Sequence, residues 1–107
     1  MRCLSHPKGR IIGRRPENAL DLDRVYEVAI AHGVALEVNG LTPRLDLSGD
    51  HVRDALAAGV KLVCSTDAHS TATIADNMTY AVHTARRGGA TAADVLNTLP
   101  LTALLRR

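Results

Sequence analysis

Three short apolar segments, alternating with helical patterns, constrain the fold of this chain more than any other feature. The predicted strands are Met1 to Ser5, Val34 to Asn39 and Val60 to Thr66. Apolar strands joined by helices are typical of a parallel sheet covered by helices. Both an open doubly wound sheet and a barrel fit this order of elements.

Helix boundary signals separate the strands. Asp21 and Ser48 are predicted N-caps, and Gly33 and Gly59 are predicted to end the same two helices. The predicted helices run from Asp21 to His32, from Gly49 to Ala58, from Ser70–Thr73 to Gly88, from Thr91 past Asp94, and from Leu99 to Arg107.

Composition narrows the class of protein. The chain has 107 residues, of which 46% are hydrophobic, and it contains no Phe or Trp, so Ala, Leu and Val must fill one small core. The net charge of +2 is too small to indicate nucleic-acid binding by itself. Cys3 and Cys64 lie in apolar segments and are predicted to be buried thiols in a reducing cytoplasm. Since the sequence contains no signal peptide and no apolar run long enough for a bilayer, we expect a cytoplasmic protein without a membrane partner.

Polar residues gather where the predicted strands end. His6, Asn39, Asp67 and His69 all fall at carboxyl ends of strands, where function concentrates in parallel α/β folds. Carboxylate and imidazole are common ligands of zinc, manganese and iron. The pattern therefore predicts a metal site, although Asp67 alone is equally typical of a capped turn and His6 of a loop histidine.

Other candidate residues have open interpretations. Glu37, inside the second strand, is interpreted as a ligand, as a residue that orients a histidine, or as an edge-strand carboxylate. Arg10 and Arg14, next to Arg15, either bind a substrate phosphate or lie in a solvated loop. A Ser-His-Asp triad built on His69 is disfavoured, because neighbouring residues cannot easily adopt that geometry.

Four motifs together resemble one known family. They are Ser5-His6-Pro7-Lys8-Gly9-Arg10, Leu36-Glu37-Val38-Asn39, Arg44-Leu45-Asp46-Leu47 and Ser65-Thr66-Asp67-Ala68-His69-Ser70. In this order and spacing they resemble the PHP (polymerase and histidinol phosphatase) family, in particular the PHP domain at the carboxyl end of bacterial family X DNA polymerases.

The resemblance implies a fold, a cofactor and roles for individual residues. It implies the C-terminal half of a distorted (β/α)7 TIM-like barrel with parallel strands, spanning residues 1–107 as a partial PHP domain. In the complete domain it implies two or three divalent metal ions, Mn²⁺ or Zn²⁺, that hydrolyse phosphoesters. His6, Asp67 and His69 would be metal ligands and catalytic residues, with Glu37 and Asn39 supporting them.

The chain also departs from that family. The opening His-x-His motif and the other early ligands are absent. We therefore expect part of a phosphoesterase of the 3′-5′ exonuclease or phosphatase type, acting on DNA 3′ ends in a repair protein like DNA polymerase X. The alternatives are a histidinol-phosphatase-like enzyme for small phosphate esters and an inactive fragment.

Expected partners follow from the half-barrel interpretation. They are the DNA or phosphate-ester substrate and the missing N-terminal half of the barrel. Half a barrel would leave two strand edges open, at the strands that end near His6 and Thr66, so we also expect self-association.

Overall fold

The computed structural model describes residues 2–106, and within them it contains three strands and four α-helices. The strands are β1 (Arg2–Leu4), β2 (Val34–Asn39) and β3 (Leu62–Ser65). The helices are α1 (Leu22–His32), α2 (Gly49–Ala58), α3 (Ile74–Arg87) and α4 (Leu101–Leu105). Single 3-10 turns occupy Thr71–Thr73, Ala92–Asp94 and Leu96–Thr98.

The strands form one parallel sheet in the order β1-β2-β3. In the register of this sheet, Cys3 is the partner of Ala35, and Asn39 is the partner of Ser65. The expectation of a parallel α/β fold is confirmed at this level. Since all three strands are parallel, their carboxyl ends lie side by side, and we call this end of the sheet the carboxyl edge.

Helices α1, α2 and α3 cover one face of the sheet. Leu36 and Val38 of β2 and Leu62 and Cys64 of β3 are buried in a single core with apolar residues of α1, α2 and α3. Alternation along the strands directs Cys3, Glu37 and Ser65 to the opposite face.

Glycines allow the helices to approach closely. A Cβ on Gly40 would lie 1.8 Å from the carbonyl oxygen of Asn77 in α3, and one on Gly88 would lie 2.4 Å from Val52 in α2. The amide of Asn77 also donates to the carbonyl of Thr66, at 3.0 Å. The contacts of Asn77 with Gly40 and Thr66 fix the start of α3 against the edge where β2 and β3 end, whereas Gly88 brings the end of α3 close to α2.

Local helix signals were predicted correctly. Asp21 caps α1 and Ser48 caps α2, each by accepting a hydrogen bond from a backbone N–H three residues later. Gly33 and Gly59 end these helices with φ of +66° and +96°, a conformation that glycine adopts without steric cost.

Several predicted boundaries were too wide. The strand predicted from Val60 begins at Leu62, because the N–H of Val60 bonds back to Ala55 of α2. The last helix begins at Leu101 rather than Leu99, after Pro100 in an extended conformation. The predicted strand start at Met1 and helix end at Arg107 lie outside the described residues.

The expectation that β3 has an open edge is wrong. Val95 forms a parallel bridge with Leu62. The side-chain amide of Asn97 accepts from the N–H of Cys64 at 2.8 Å and donates to its carbonyl at 2.9 Å. A side chain thus occupies the position of a fourth strand. By contrast, β1 pairs only with β2 among residues 2–106, and its three residues are exposed.

No helix within residues 2–106 is both long enough and apolar enough to cross a membrane.

Candidate functional site

Glu37 connects the three strands at their carboxyl ends. Its Oε1 accepts hydrogen bonds from the backbone N–H of His6 at 2.8 Å and from the hydroxyl of Ser5 at 3.1 Å, both after β1. Its Oε2 accepts from the hydroxyl of Ser65 in β3. The edge-strand interpretation of Glu37 is wrong, since β2 is the central strand.

Asn39 extends this network to Asp67. Its side-chain Nδ2 donates to Glu37 Oε1 and to Asp67 Oδ2, both at 3.1 Å, while its Oδ1 accepts from the N–H of Leu41 at 2.9 Å. Asn39 is only 2% exposed, so its amide is held in this orientation. Glu37 and Asn39 therefore lie where supporting residues of a site at this edge would lie.

Asp67 directs its carboxylate at side chains rather than at the following turn. Oδ2 accepts from Asn39 and lies 3.6 Å from Nε of Arg44. The turn itself is closed by Thr66, whose Oγ1 accepts from the N–H of Ala68 at 3.2 Å. The capping interaction predicted as the alternative role of Asp67 is thus made by Thr66.

Two candidate ligands have unusual backbone conformations. His6 has φ of +26° and Asp67 has φ of +49°, each in the left-handed region and each close behind a strand. Non-glycine residues adopt this region at a cost, and such residues cluster at active sites and ligand-binding loops. The backbone at both strand ends is thus consistent with a functional edge.

His69 does not meet the Asp67 carboxylate. Its Nδ1 lies 2.8 Å from the backbone carbonyl of Asp67, and its ring is exposed. Within residues 2–106, no three His, Cys, Asp or Glu side chains group closely enough to hold a metal ion. The carboxylate oxygen of Asp67 is moreover shared with the guanidinium of Arg44, itself a cation. By themselves these residues do not fit a metal centre, and the metal-ligand roles of His6, Asp67 and His69 remain predictions.

Arg44 is a site residue to which the sequence analysis assigned no role, although it begins one of the four motifs. It lies in the loop after β2 and pairs with Asp67, yet its Nη1 is buried and has no hydrogen-bond partner among residues 2–106. The available signal was its position between Asn39 and β3, which places it at the same edge as Asp67.

Arg10 supports the loop that carries Arg44. Its Nε donates to the carbonyl of Arg44 at 2.8 Å, and its Nη2 donates to the carbonyl of Leu45. Arg14 is exposed to solvent. The expected phosphate-binding role therefore fits the free side chain of Arg14 better than the engaged guanidinium of Arg10.

Partial burial and the negative charge of Glu37 together affect the pKa of the nearby thiol of Cys3. Of the two thiols predicted to be buried, Cys64 is buried, whereas Cys3 is exposed because it lies on the edge strand β1. Partial burial nevertheless raises the pKa of Cys3 to about 11, and the negative charge of Glu37 adds to this effect. A thiol with a raised pKa is mostly protonated near neutral pH, and the protonated form is the weaker nucleophile.

One known protein is similar to this chain in sequence. The chain is 42% identical over 94 residues to the DNA polymerase/3'-5' exonuclease PolX of Bacillus subtilis (strain 168). The aligned residues make up 88% of this chain but only 16% of the PolX relative. No family model matches the chain. The chain is thus similar to a small part of a protein that is named for DNA synthesis and for 3′-5′ DNA degradation.

Proposed function

We propose that this chain is the carboxyl-terminal part of a metal-dependent phosphoesterase domain of the PHP type, acting on DNA 3′ ends. The observation that carries this proposal is the network Glu37–Asn39–Asp67, which joins the ends of all three parallel strands. Core packing does not require such a polar network, and in parallel α/β folds functional residues gather at the carboxyl ends of the strands.

Similarity to the PolX relative supports DNA as the substrate. Identity of 42% extends over most of the chain. In this proposal residues 1–107 form the C-terminal half of a (β/α)7 TIM-like barrel. A DNA-processing role would place the protein in the cytoplasm.

The metal site would be completed by ligands outside this segment. His6, Asp67 and His69 are the proposed ligands here, for Mn²⁺ or Zn²⁺, because carboxylate and imidazole suit both ions. Glu37 and Asn39 would hold Asp67 and the backbone of His6 in place. Arg14 would bind a substrate phosphate, whereas Arg10 would position the loop that carries Arg44.

A chimera tests this proposal directly. The matching 94-residue segment of the Bacillus subtilis relative is replaced by this chain, and removal of nucleotides from 3′-recessed DNA is measured with Mn²⁺ and with Zn²⁺. We expect the chimera to be active, and Asp67→Asn to lower its activity on the order of 100-fold with little change in stability. Asparagine keeps the shape of the side chain but loses the charge that attracts a cation.

Asp54→Asn provides the matched control, since Asp54 is exposed on α2 and distant in sequence from the strand ends. Full activity of Asp67→Asn would show that the charge of Asp67 is not needed and that Asp67 does not bind the metal ion. Activity on a small phosphate ester but not on DNA would favour the histidinol-phosphatase-like alternative.

The inactive fragment remains a second candidate. It is favoured by the lack of a group of three metal-binding side chains within residues 2–106. A folded chimera that hydrolyses neither DNA nor a phosphate ester would establish this alternative.

A further inference from the structure

A small turn lies at the carboxyl edge of the sheet, and we call it the flap (residues 10–15). The N–H of Ile11 donates to the carbonyl of Arg15 at 3.0 Å, and the N–H groups of Arg14 and Arg15 donate back to Ile11. Gly13 permits the turn with φ of +80°, and a Cβ there would meet nothing within 4 Å. The tip of the flap therefore projects into solvent.

The flap is fixed to the site rather than free. The N–H of Ile12 donates to the carbonyl of Pro43 at 2.5 Å, and Arg10 donates to the carbonyls of Arg44 and Leu45. These acceptors belong to the loop after β2, whose Arg44 pairs with Asp67. The flap thus lies at the same edge as Asp67 and is held there at several points.

The flap presents an unusual combination of side chains. Ile12 is 53% exposed although it is a large apolar residue. Arg14 and Arg15 are also exposed, and among residues 2–106 neither forms an ion pair. An apolar side chain beside two free guanidinium groups offers no benefit to the core.

We propose that the flap binds single-stranded DNA, with Arg14 and Arg15 on backbone phosphates and Ile12 against the face of a base. Guanidinium groups match phosphate oxygens in geometry and charge. Unpaired bases expose an apolar face, and proteins that bind single strands combine a basic surface with side chains that contact that face. The inference rests on the proposed function and adds to it the surface that receives an unpaired 3′ end.

Salt dependence tests the arginines. Binding of fluorescein-labelled oligothymidine is measured by anisotropy at several salt concentrations for the chain and for the double variant Arg14→Ala/Arg15→Ala. We expect roughly tenfold weaker binding, and a log–log salt slope that is smaller by about 1.4, because single strands lose about 0.7 per phosphate contact.

The double variant Arg86→Ala/Arg87→Ala is the matched control. It removes the same charge from exposed residues at the end of α3, far along the helix from the carboxyl edge. An equal loss of affinity and slope in both double variants would overturn the proposal, because nonspecific charge would then account for the binding.

A fluorescent variant tests the contact with a base. The chain contains no Trp, so Ile12→Trp introduces a single reporter on an exposed position. We expect oligothymidine to quench its emission, and an abasic strand of equal length to leave it unchanged. Ile30→Trp, at a residue of α1 that is 49% exposed, is the control and should respond to neither.

Absence of quenching in the Ile12→Trp variant, or equal quenching by the abasic strand, would overturn the assignment of Ile12. Both experiments measure binding without turnover. A chain that binds through the flap while the chimera hydrolyses nothing would leave this inference intact and refute the phosphoesterase proposal.

Discussion

Glu37 is the residue on which the geometry of the carboxyl edge most depends. Its two oxygens accept from Ser5, from the backbone of His6, from Asn39 and from Ser65, so one carboxylate joins three strands. Hydrogen bonds to a charged acceptor contribute about 1.5–3 kcal/mol each to stability. A charged residue in the central strand is tolerated because these donors compensate for its partial burial.

The thiol of Cys3 reports the charge of Glu37. We expect Glu37→Gln to lower the pKa of Cys3 from about 11, because the carboxylate raises it, while partial burial keeps it above the ordinary value. Alkylation by iodoacetamide at pH 9 should therefore become several-fold faster, since the thiolate is the reactive form. The modified residue is identified by mass spectrometry.

Glu27→Gln, which removes an exposed charge on α1, is the control and should leave the alkylation rate of Cys3 unchanged. An unchanged rate in Glu37→Gln as well would contradict the electrostatic coupling.

Sequence reasoning located the strand-end residues but not their contacts. His6, Asn39 and Asp67 follow from alternation of apolar and polar segments, which is a local property. The pairing of Asp67 with Arg44 and the turn of His69 onto a backbone carbonyl depend on the positive φ of Asp67 and on the loop after β2. Spacing along the chain does not encode these directions.

At the scale of elements, the most reliable sequence signals were those that depend only on residues close together in the chain. The limits of α1 and α2 were predicted from Asp21, Gly33, Ser48 and Gly59, because capping depends on neighbouring residues alone. The segment after β3 was less predictable. The covering of β3 by Asn97 requires contact between residues 33 positions apart, and no local pattern predicts it.

Asn97 should protect the edge of β3. We expect Asn97→Ala to lower the free energy of unfolding by about 1–2 kcal/mol, because both hydrogen bonds to the backbone of Cys64 are lost. Hydrogen exchange at the amide of Cys64 should accelerate more than exchange elsewhere in β3.

Thr98→Ala is a suitable control, since among residues 2–106 the hydroxyl of Thr98 bonds only to the carbonyls of Ala92 and Val95, in its own segment. Equal protection of the Cys64 amide in Asn97→Ala and in the unchanged chain would refute this role.

Asp94 should make the stability of the C-terminal segment depend on pH. The backbone N–H of Thr91 donates to its carboxylate at 2.8 Å and holds its pKa below the ordinary value of 3.8. A carboxyl with a depressed pKa in the folded state stabilises it above the unfolded pKa, and this contribution is lost as the pH falls through the folded pKa.

Asp94→Asn should therefore be less stable than the unchanged chain at pH 6, with the difference shrinking below about pH 4. Urea unfolding from pH 6 to pH 2.5 measures this difference. A difference in the free energy of unfolding that stays constant over the whole pH range would contradict the assignment to Asp94. Asp54→Asn, which removes an exposed charge that accepts no hydrogen bond among the described residues, is the control for the loss of one negative charge.

At the scale of the whole molecule, apolar strand segments alternate with helix boundary signals along the entire chain, and this alternation predicted a parallel α/β fold. The sequence predicted two open strand edges instead of one, because the covering of β3 is a tertiary contact. The half-barrel interpretation rests on family resemblance and on three strands whose ends meet at one edge.

The open edge of β1 should drive self-association. Its backbone groups face outward beside the exposed side chain of Leu4. We expect Leu4→Lys to raise the dissociation constant roughly tenfold, because charges on edge strands oppose pairing. Sedimentation velocity over a range of concentrations measures this effect. Leu101→Lys, which changes an exposed leucine of α4, is the control. A larger effect of Leu101→Lys would place the contact on α4 instead.

The amide of Asn97 also limits the stoichiometry of such assembly. A sheet with two free sides can add copies without end and grow into a fibre. Because Asn97 occupies the β3 side, the described residues of each copy have one free side, at β1. When two copies pair their β1 strands about a two-fold axis, neither copy has a free side left. The average mass should then saturate at twice that of a single chain as the concentration rises, whereas Asn97→Ala should allow larger species to form.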